Sequence, residues 1–200
     1  MRVVAIKNLK GEAENRLIRA MHRLRARTFR GQLAWKVRGT SGLERGNFDK
    51  LGSAYVLRLD RCDAVVGCAR LLEKVFSQLL EMAHLSTYHR MIESSRFCGG
   101  TNTAVEREQA GLRSATLVMF AGIVEWSILS GYREFVTATD VRLERILRRA
   151  DWPLSRLGAP AQINESRSVA GLRLADRQSL DRLRRGAYSS DFSIYQAEAA

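Results

Sequence analysis

Residues 53–72 read SAYVLRLDRCDAVVGCARLL. From Ser53 to Asp60 the pattern alternates. Tyr55, Leu57 and Leu59 point one way and Val56 and Arg58 the other, which is the two-residue period of a strand. Asp60-Arg61-Cys62-Asp63 is a polar turn, and Ala64 to Leu72 is a second apolar run. Two strands joined by so short a connection predict an antiparallel hairpin. Gly67 inside the second strand marks a bulge or a close approach by a neighbouring group. Arg70 is the anomaly. A cation set between Cys68 and Leu71 must be paired or functional if this strand is central.

Working outward, Val3 to Ile6 is a candidate first strand. Glu12 to Phe29 has Leu17, Ala20, Met21, Leu24 and Thr28 at helical spacing, with Arg16, Arg19, Arg23, Arg27 and Arg30 on the other face. Residues 36–52 are polar, carry glycines and keep no period, so they form a long loop of the kind that usually has a function. On the far side of the hairpin, Phe76 to Leu85 suits a short helix, and Met91 to Phe97 (MIESSRF) a strand with charges set into it. Arg107 to Ser130 is the strongest helical stretch: Leu117, Phe120, Ala121, Val124 and Ile128 share a face and Gly131 stops it. Phe135 to Ala138 is a strand, and Thr139 or Asp140 can cap a helix over Val141 to Ala150. Trp152-Pro153 ends that helix. Two weaker strands follow around 156–163 and 168–174, and the tail from 178 to 200 is polar and of doubtful order. The sum is an α/β domain over residues 1–177: a mixed, mostly antiparallel sheet with helices on both faces.

With 200 residues and 46% apolar content the chain can bury one sizeable core. No apolar stretch reaches the roughly 20 residues of a membrane span; the longest, Leu117 to Leu129, is interrupted by Glu125. The first residues, MRVVAIKNLKG, lack the apolar core of a secretory signal, so a cytoplasmic protein is expected. Cys62, Cys68 and Cys98 are odd in number and have no histidine cluster beside them, which favours free thiols over a metal site. Net charge is +12, carried almost entirely by arginine. That charge suits nucleic acid, an anionic membrane surface or an acidic protein as partner, and composition alone does not choose among them. No helix-turn-helix or RNA-binding signature accompanies the charge, so nucleic acid is not the expected one.

Charge stands where a core pattern would not put it in four places: Arg25 with Phe29 and Trp35, Glu44 with Asp49, Arg70, and Glu93 with Arg96. Each has a plain alternative, such as a solvated helix charge, core aromatics, loop solvation, or a structural Arg70–Glu93 pair. Glu93 and Arg96 are an odd number of positions apart. In a regular strand they face opposite sides, so both reach one site only at a strand end or a bulge.

In order and context, Arg25, Phe29, Trp35, Glu44, Asp49, Arg70, Phe76, Glu93 and Arg96, with the segments GCARLL, IESSRF and ILRRADWPLSRLG, resemble the acyl-homoserine-lactone synthases, the LuxI-type autoinducer synthases. The resemblance covers roughly residues 3 to 175. It implies a single-domain α/β/α sandwich similar to the N-acetyltransferase fold. It also implies transfer of an acyl chain from acyl carrier protein, or less often coenzyme A, to the amine of S-adenosylmethionine. Lactonisation with release of methylthioadenosine then yields the quorum-sensing signal. S-adenosylmethionine is then a substrate, and neither cofactor nor metal is needed.

By the same resemblance Glu93, Asp49, Arg70 and Arg96 are the catalytic set. Arg25, Phe29, Trp35, Glu44, Asp49 and Arg96 bind S-adenosylmethionine. Phe76, Leu117, Phe120, Ala121, Val124 and Thr137 line an acyl pocket. Arg142, Arg145, Arg148 and Arg149 on one helix are either the docking face for the acidic carrier or a solvated face without a partner. The chemistry suits these residue types. The substrate supplies the nucleophilic nitrogen, so no Ser-His-Asp or Cys-His group is required, and a buried carboxylate such as Glu93 can take the proton.

The chain departs from the family pattern at Gly46, where an acidic residue is usual, and after Leu72, where a Pro-containing stretch is missing. It departs again at Gly99-Gly100 and at Asp151, where a helix-ending glycine is usual. Two rivals follow: an acetyl-coenzyme-A N-acetyltransferase of the same fold, and a degenerate synthase that binds S-adenosylmethionine without turnover.

Overall fold

The computed structural model describes residues 2–7, 11–32, 42–73, 90–99, 111–163, 166–184 and 188–192. Trp35, Phe76 and the helix expected over 76–85 lie outside them.

The hairpin forms as the alternation requires. Strand β2 (Ala54–Leu59) pairs antiparallel with β3 (Val65–Leu72). Its turn is tied by Asp60, whose carboxylate accepts from the Cys62 and Ala64 amides at 2.8 and 2.9 Å. The register slips between Arg58 and Leu59, leaving an extra residue on β3 just before Gly67. Gly67 is also a close approach: a Cβ there would sit 3.1 Å from Met119 Sδ and 3.3 Å from Arg58 Cβ.

Around the hairpin a nine-stranded sheet assembles in the order β6-β8-β5-β4-β3-β2-β1-β9, with β7 pairing β8. Its other members are β1 (Arg2–Ile6), β4 (Met91–Gly99), β5 (Glu134–Asp140), β6 (Ser155–Arg156), β7 (Ala161–Ile163), β8 (Ser166–Leu174) and β9 (Ser189–Asp191). Neighbours are antiparallel except β4 with β5 and β1 with β9. The expected mixed, mostly antiparallel sheet is what forms.

The strand period sorts the core into two layers. One face of β1–β4 gives Val3, Val56, Ala69, Leu71 and Ile92 to helix α2 (Gly111–Leu129). The other gives Ile6, Tyr55, Leu57, Leu59, Cys68 and Cys98 to helix α1 (Glu12–Ala26). Helices on both faces explain why every residue of β2 is buried. Helix α1 does not simply run on to Phe29: its i→i−4 ladder gives way to a π-helical turn over Arg27–Gln32, a distortion common at functional sites. Helix α3 (Val141–Arg149) is capped by Asp140, whose side chain accepts from the Arg142 and Leu143 amides at 2.9 and 2.8 Å. Past its end Asp151 adopts φ +57°, the left-handed conformation a glycine would take without strain.

Of the tail, the structure describes residues 178–184 and 188–192: helix α4 (Arg177–Leu183) packs on α2 and β9 adds a parallel strand beside β1. Leu180, Leu183 and Phe192 are buried, and Arg184 and Tyr188 both bind Glu125. A seven-residue helix is too short to show its period among the arginines and aspartates around it.

Candidate active site

Strand β4 settles the parity of Glu93 and Arg96. Cys68 of β3 stands opposite Cys98, but Arg70, two residues on, stands opposite Ser95, three residues back. The extra residue is a bulge, and Arg96 sits in it at φ +52°, a conformation that costs a non-glycine residue about 1–3 kcal/mol. The bulge turns Glu93, Ser95 and Arg96 toward the α1 face, beside Arg70, while Phe97 points to the α2 face.

The chain from α1 and the 42–50 loop meets them there. Arg25 is fully buried. It ion-pairs with Glu44 and holds both oxygens of Asp49, through Nη1 at 2.8 Å and Nη2 at 3.1 Å. Asp49 is the third residue of a one-turn 3₁₀ helix (Asn47–Lys50) and also accepts from the Gly46 amide at 2.7 Å, Tyr55 Oη at 2.9 Å and Arg70 Nη1 at 3.4 Å. Five donors thus converge on one carboxylate. Arg96 reaches Glu44 at 3.4 Å and lies 5.5 Å from the ring centre of Phe29, while Arg70 lies 5.4 Å from that of Phe48. Arg70 also donates Nε and Nη2 to Ser95 Oγ at 3.3 and 3.2 Å. The carboxylate ion-paired with Arg70 is therefore Asp49, not Glu93.

The electrostatics follow from these contacts. Burial alone would push Asp49 up, but the Arg25 hydrogen bond and charge, the Gly46 amide and Arg70 hold it well below the usual carboxylate range. Burial likewise works against the Arg25 cation, and Asp49 with Glu44 more than restores it. Glu93 behaves differently. Burial raises it, and a hydrogen bond from Ser95 with the charges of Arg70 and Arg96 offsets that only in part. Two carboxylates on the same sheet face are thus driven in opposite directions, one fixed as an anion and one biased toward the acid.

The sheet opens beside Glu93. Strands β4 and β5 pair only through Met91–Glu134, Ile92–Phe135 and Glu93–Val136. Beyond that point β4 runs on against β3 and β5 runs on against β8, so the two diverge. The expected acyl-pocket residues Leu117, Phe120, Ala121 and Val124 lie on α2, across the sheet from Glu93, and are buried. Phe120 stacks with Phe97 at 5.0 Å and Trp152 at 5.4 Å, and Trp152 meets Phe135 at 5.0 Å. Thr137, half-buried and two residues past Phe135, shares that face at the divergence.

Of the expected site residues, the structure brings together Arg25, Phe29, Glu44, Asp49, Arg70, Glu93 and Arg96. Arg142, Arg145, Arg148 and Arg149 are exposed on α3, where Leu147 is buried and Leu143 and Ile146 are half-buried. Glu144, in the same helix, is buried and takes a two-pronged contact from Arg156 at 2.6 and 2.8 Å. Cys68 and Cys98 are buried free thiols facing each other at 3.1 Å, and Cys62 is exposed. Among the described residues no group of acidic, histidine and cysteine side chains is placed to hold a metal, and no helix is long and apolar enough to cross a membrane. Sequence reasoning missed Tyr55, His22 and Ser95. For Tyr55 a signal existed: the alternation places it on the face that Arg70 occupies across the hairpin.

Comparison with known proteins places the chain in a family and a fold. Residues 9–183 match the model of the family described as autoinducer synthase. The chain is 44% identical over 191 residues to an acyl-homoserine-lactone synthase of Agrobacterium fabrum, covering 92% of this chain and 90% of that protein. Its fold is similar to that of BjaI, a coenzyme-A-dependent acyl-homoserine lactone synthase solved with SAM and isopentyl-CoA (TM-score 0.75, 21% identity, 98% and 97% of the chains covered). More distantly, it is similar to an N-acetyltransferase from Lactobacillus plantarum (TM-score 0.58, 10% identity, 87% and 97% covered). The chain belongs to the autoinducer synthase family, the acyltransferases that make acyl-homoserine lactones for quorum sensing.

Proposed function

We propose that the α1 face binds S-adenosylmethionine, that the α2 face takes an acyl chain delivered by acyl carrier protein, and that the two meet at the divergence of β4 and β5. The carrying observation is the bulge at Arg96, which sets Glu93, Ser95 and Arg96 on one face where the sheet opens.

Glu93 is the base. Its raised proton affinity suits accepting a proton from the substrate ammonium, directly or through a water. The freed amine attacks the thioester carbonyl, the carrier thiol leaves and an amide forms. Main-chain N–H groups of β4 beyond its pairing with β5 are suited to the developing oxyanion. In the second step the methionyl carboxylate attacks its own γ-carbon and the sulfonium departs as a neutral thioether, methylthioadenosine. That step mainly needs the carboxylate held in line. The charge balance supports this binding mode. Arg25, Arg70 and Arg96 face Glu44 and Asp49, so once Glu93 has taken the ammonium proton one positive charge is left over for the substrate carboxylate. Arg70 and Arg96 reach that carboxylate, while Arg25 and Asp49, buried and bound to each other, hold the 42–50 loop against them. The α3 arginines receive the acidic carrier, and no metal or bound cofactor takes part.

The purified protein, given S-adenosylmethionine and a set of acyl carrier and acyl-coenzyme-A thioesters, should release methylthioadenosine and one dominant lactone by mass spectrometry. Binding of S-adenosylmethionine without either product would instead favour the degenerate synthase, for which Gly46 in place of a carboxylate is the motive. Acetyl transfer to another amine would favour the N-acetyltransferase.

A further inference from the structure

Beneath the ionic layer lie two uncharged rings that the proposed reaction does not use. We propose that His22 and Tyr55 are positioning residues, a neutral underlayer that fixes Glu44 and Asp49 against the arginines; the kinetic consequence rests on the substrate reading above. His22 is buried, and its Nδ1 lies 2.6 Å from the Glu44 main-chain oxygen. A carbonyl only accepts, so Nδ1 carries the proton and donates. In return the Glu44 amide donates to the His22 carbonyl at 3.1 Å. The loop is thus clamped to α1 from both sides of one residue, the residue whose carboxylate bridges Arg25 and Arg96. Tyr55, also buried, gives its hydroxyl to Asp49 Oδ1 at 2.9 Å, the oxygen that Arg25 and Arg70 share. The two rings touch edge to face, with centroids 6.4 Å apart, so the clamps brace each other.

Neutrality is the point of the arrangement. Tyr55 donates to the Asp49 carboxylate and His22 to the Glu44 main chain, and neither adds a cation, so the surplus positive charge stays with Arg70 and Arg96. Burial, with Arg25 and Arg45 nearby, lowers His22 and biases it toward the uncharged form, against the opposing pull of the Glu44 carbonyl and Asp49. Burial and the Asp49 charge raise Tyr55 and keep it protonated.

The test compares Tyr55→Phe, His22→Asn, His22→Gln and His22→Ala in the full chain. An asparagine amide can stand where Nδ1 stands; a glutamine amide reaches the Nε2 position instead. Removing a hydrogen bond to a charged group should lower kcat/KM for Tyr55→Phe by about 10- to 100-fold, chiefly through KM for S-adenosylmethionine. His22→Gln and His22→Ala should fall about tenfold, while His22→Asn stays within about threefold. Hydrogen exchange supplies a readout independent of the reaction. Peptides covering residues 42–50 should stay protected in wild type and His22→Asn and exchange about tenfold faster in the other three, with melting temperatures recorded alongside. Equal exchange in His22→Asn and His22→Ala, or unchanged exchange in Tyr55→Phe, would overturn the proposal. If the exchange pattern holds while wild type releases no methylthioadenosine, the underlayer stands and the substrate reading falls.

Discussion

The two faces of the sheet use the same strands for opposite purposes. Toward α1, β3 and β4 present Arg70, Glu93, Ser95 and Arg96 to a loop carrying Glu44 and Asp49; toward α2 they present Leu71, Ile92 and Phe97 to an aromatic group around Phe120 and Trp152. On the first face position is set by directional contacts, five to Asp49 and two ion pairs to Glu44, and these side chains cannot shift without stranding a buried charge. On the second it is set by packing, where shape and volume decide and neighbours can adjust. A reaction that joins a charged amino acid to an apolar chain needs both kinds of wall. The gap between β4 and β5 is where they come within reach of each other.

Glu93→Gln should show the largest effect, because it keeps shape on the charged face while removing the proton acceptor: kcat down by about 10²- to 10⁴-fold with S-adenosylmethionine affinity nearly unchanged. Isothermal titration against turnover decides it, and an equal loss in both would make Glu93 structural. Its pH dependence carries a sign. Since folding raises Glu93 above the ordinary carboxylate value, activity should climb with pH through that raised value. Over the interval between the unfolded and folded values Glu93 should also subtract stability as pH rises. Asp49 has the reverse sign: its contribution is complete above the unfolded carboxylate value and is lost as pH falls toward its depressed folded one.

Next in size, Asp49→Ala should cost about 3–5 kcal/mol in denaturant melts, because it leaves the Arg25 guanidinium buried beside Glu44 alone. On the other face Phe120→Ala should cost about 3 kcal/mol, with a cavity in place of the ring. It should also shift the lactones toward longer chains; an unchanged product spectrum would place the acyl chain elsewhere. Smallest is the replacement of Arg142, Arg145, Arg148 and Arg149 by glutamate. It should raise KM for an acyl carrier substrate several-fold, more at low salt, and leave an acyl-coenzyme-A substrate much less affected. Equal effects on both donors would remove α3 as the carrier surface.

Much of this was legible in the sequence. The hairpin over 53–72, the long helix behind Leu117 to Ile128, the Asp140 cap and the tension at Gly67 are local patterns, readable wherever a period of two or 3.6 runs uninterrupted. The odd spacing of Glu93 and Arg96 was legible as a problem, and the structure supplied the bulge as its answer. The elements in the described part of the tail were not legible, because Leu180, Leu183 and Phe192 find their partners on α2 and its surroundings, far away along the chain. His22 and Tyr55 passed as core residues, since nothing in a histidine three positions before an arginine, or in a tyrosine within a strand, says which carboxylate will lie above it.

By itself the sequence determined the identity of the chemistry-bearing residues, the strands and helices that carry them, and the family they resemble. Only the tertiary structure decided that Arg70 belongs to Asp49 and not to Glu93, that Arg96 turns to the same face as Glu93, and that β4 and β5 part where they do. The physical reason is one of range. Side-chain periodicity is fixed by backbone geometry within a few residues, whereas register, bulges and buried ion pairs depend on which strand lies alongside and which charge is left in need of a partner.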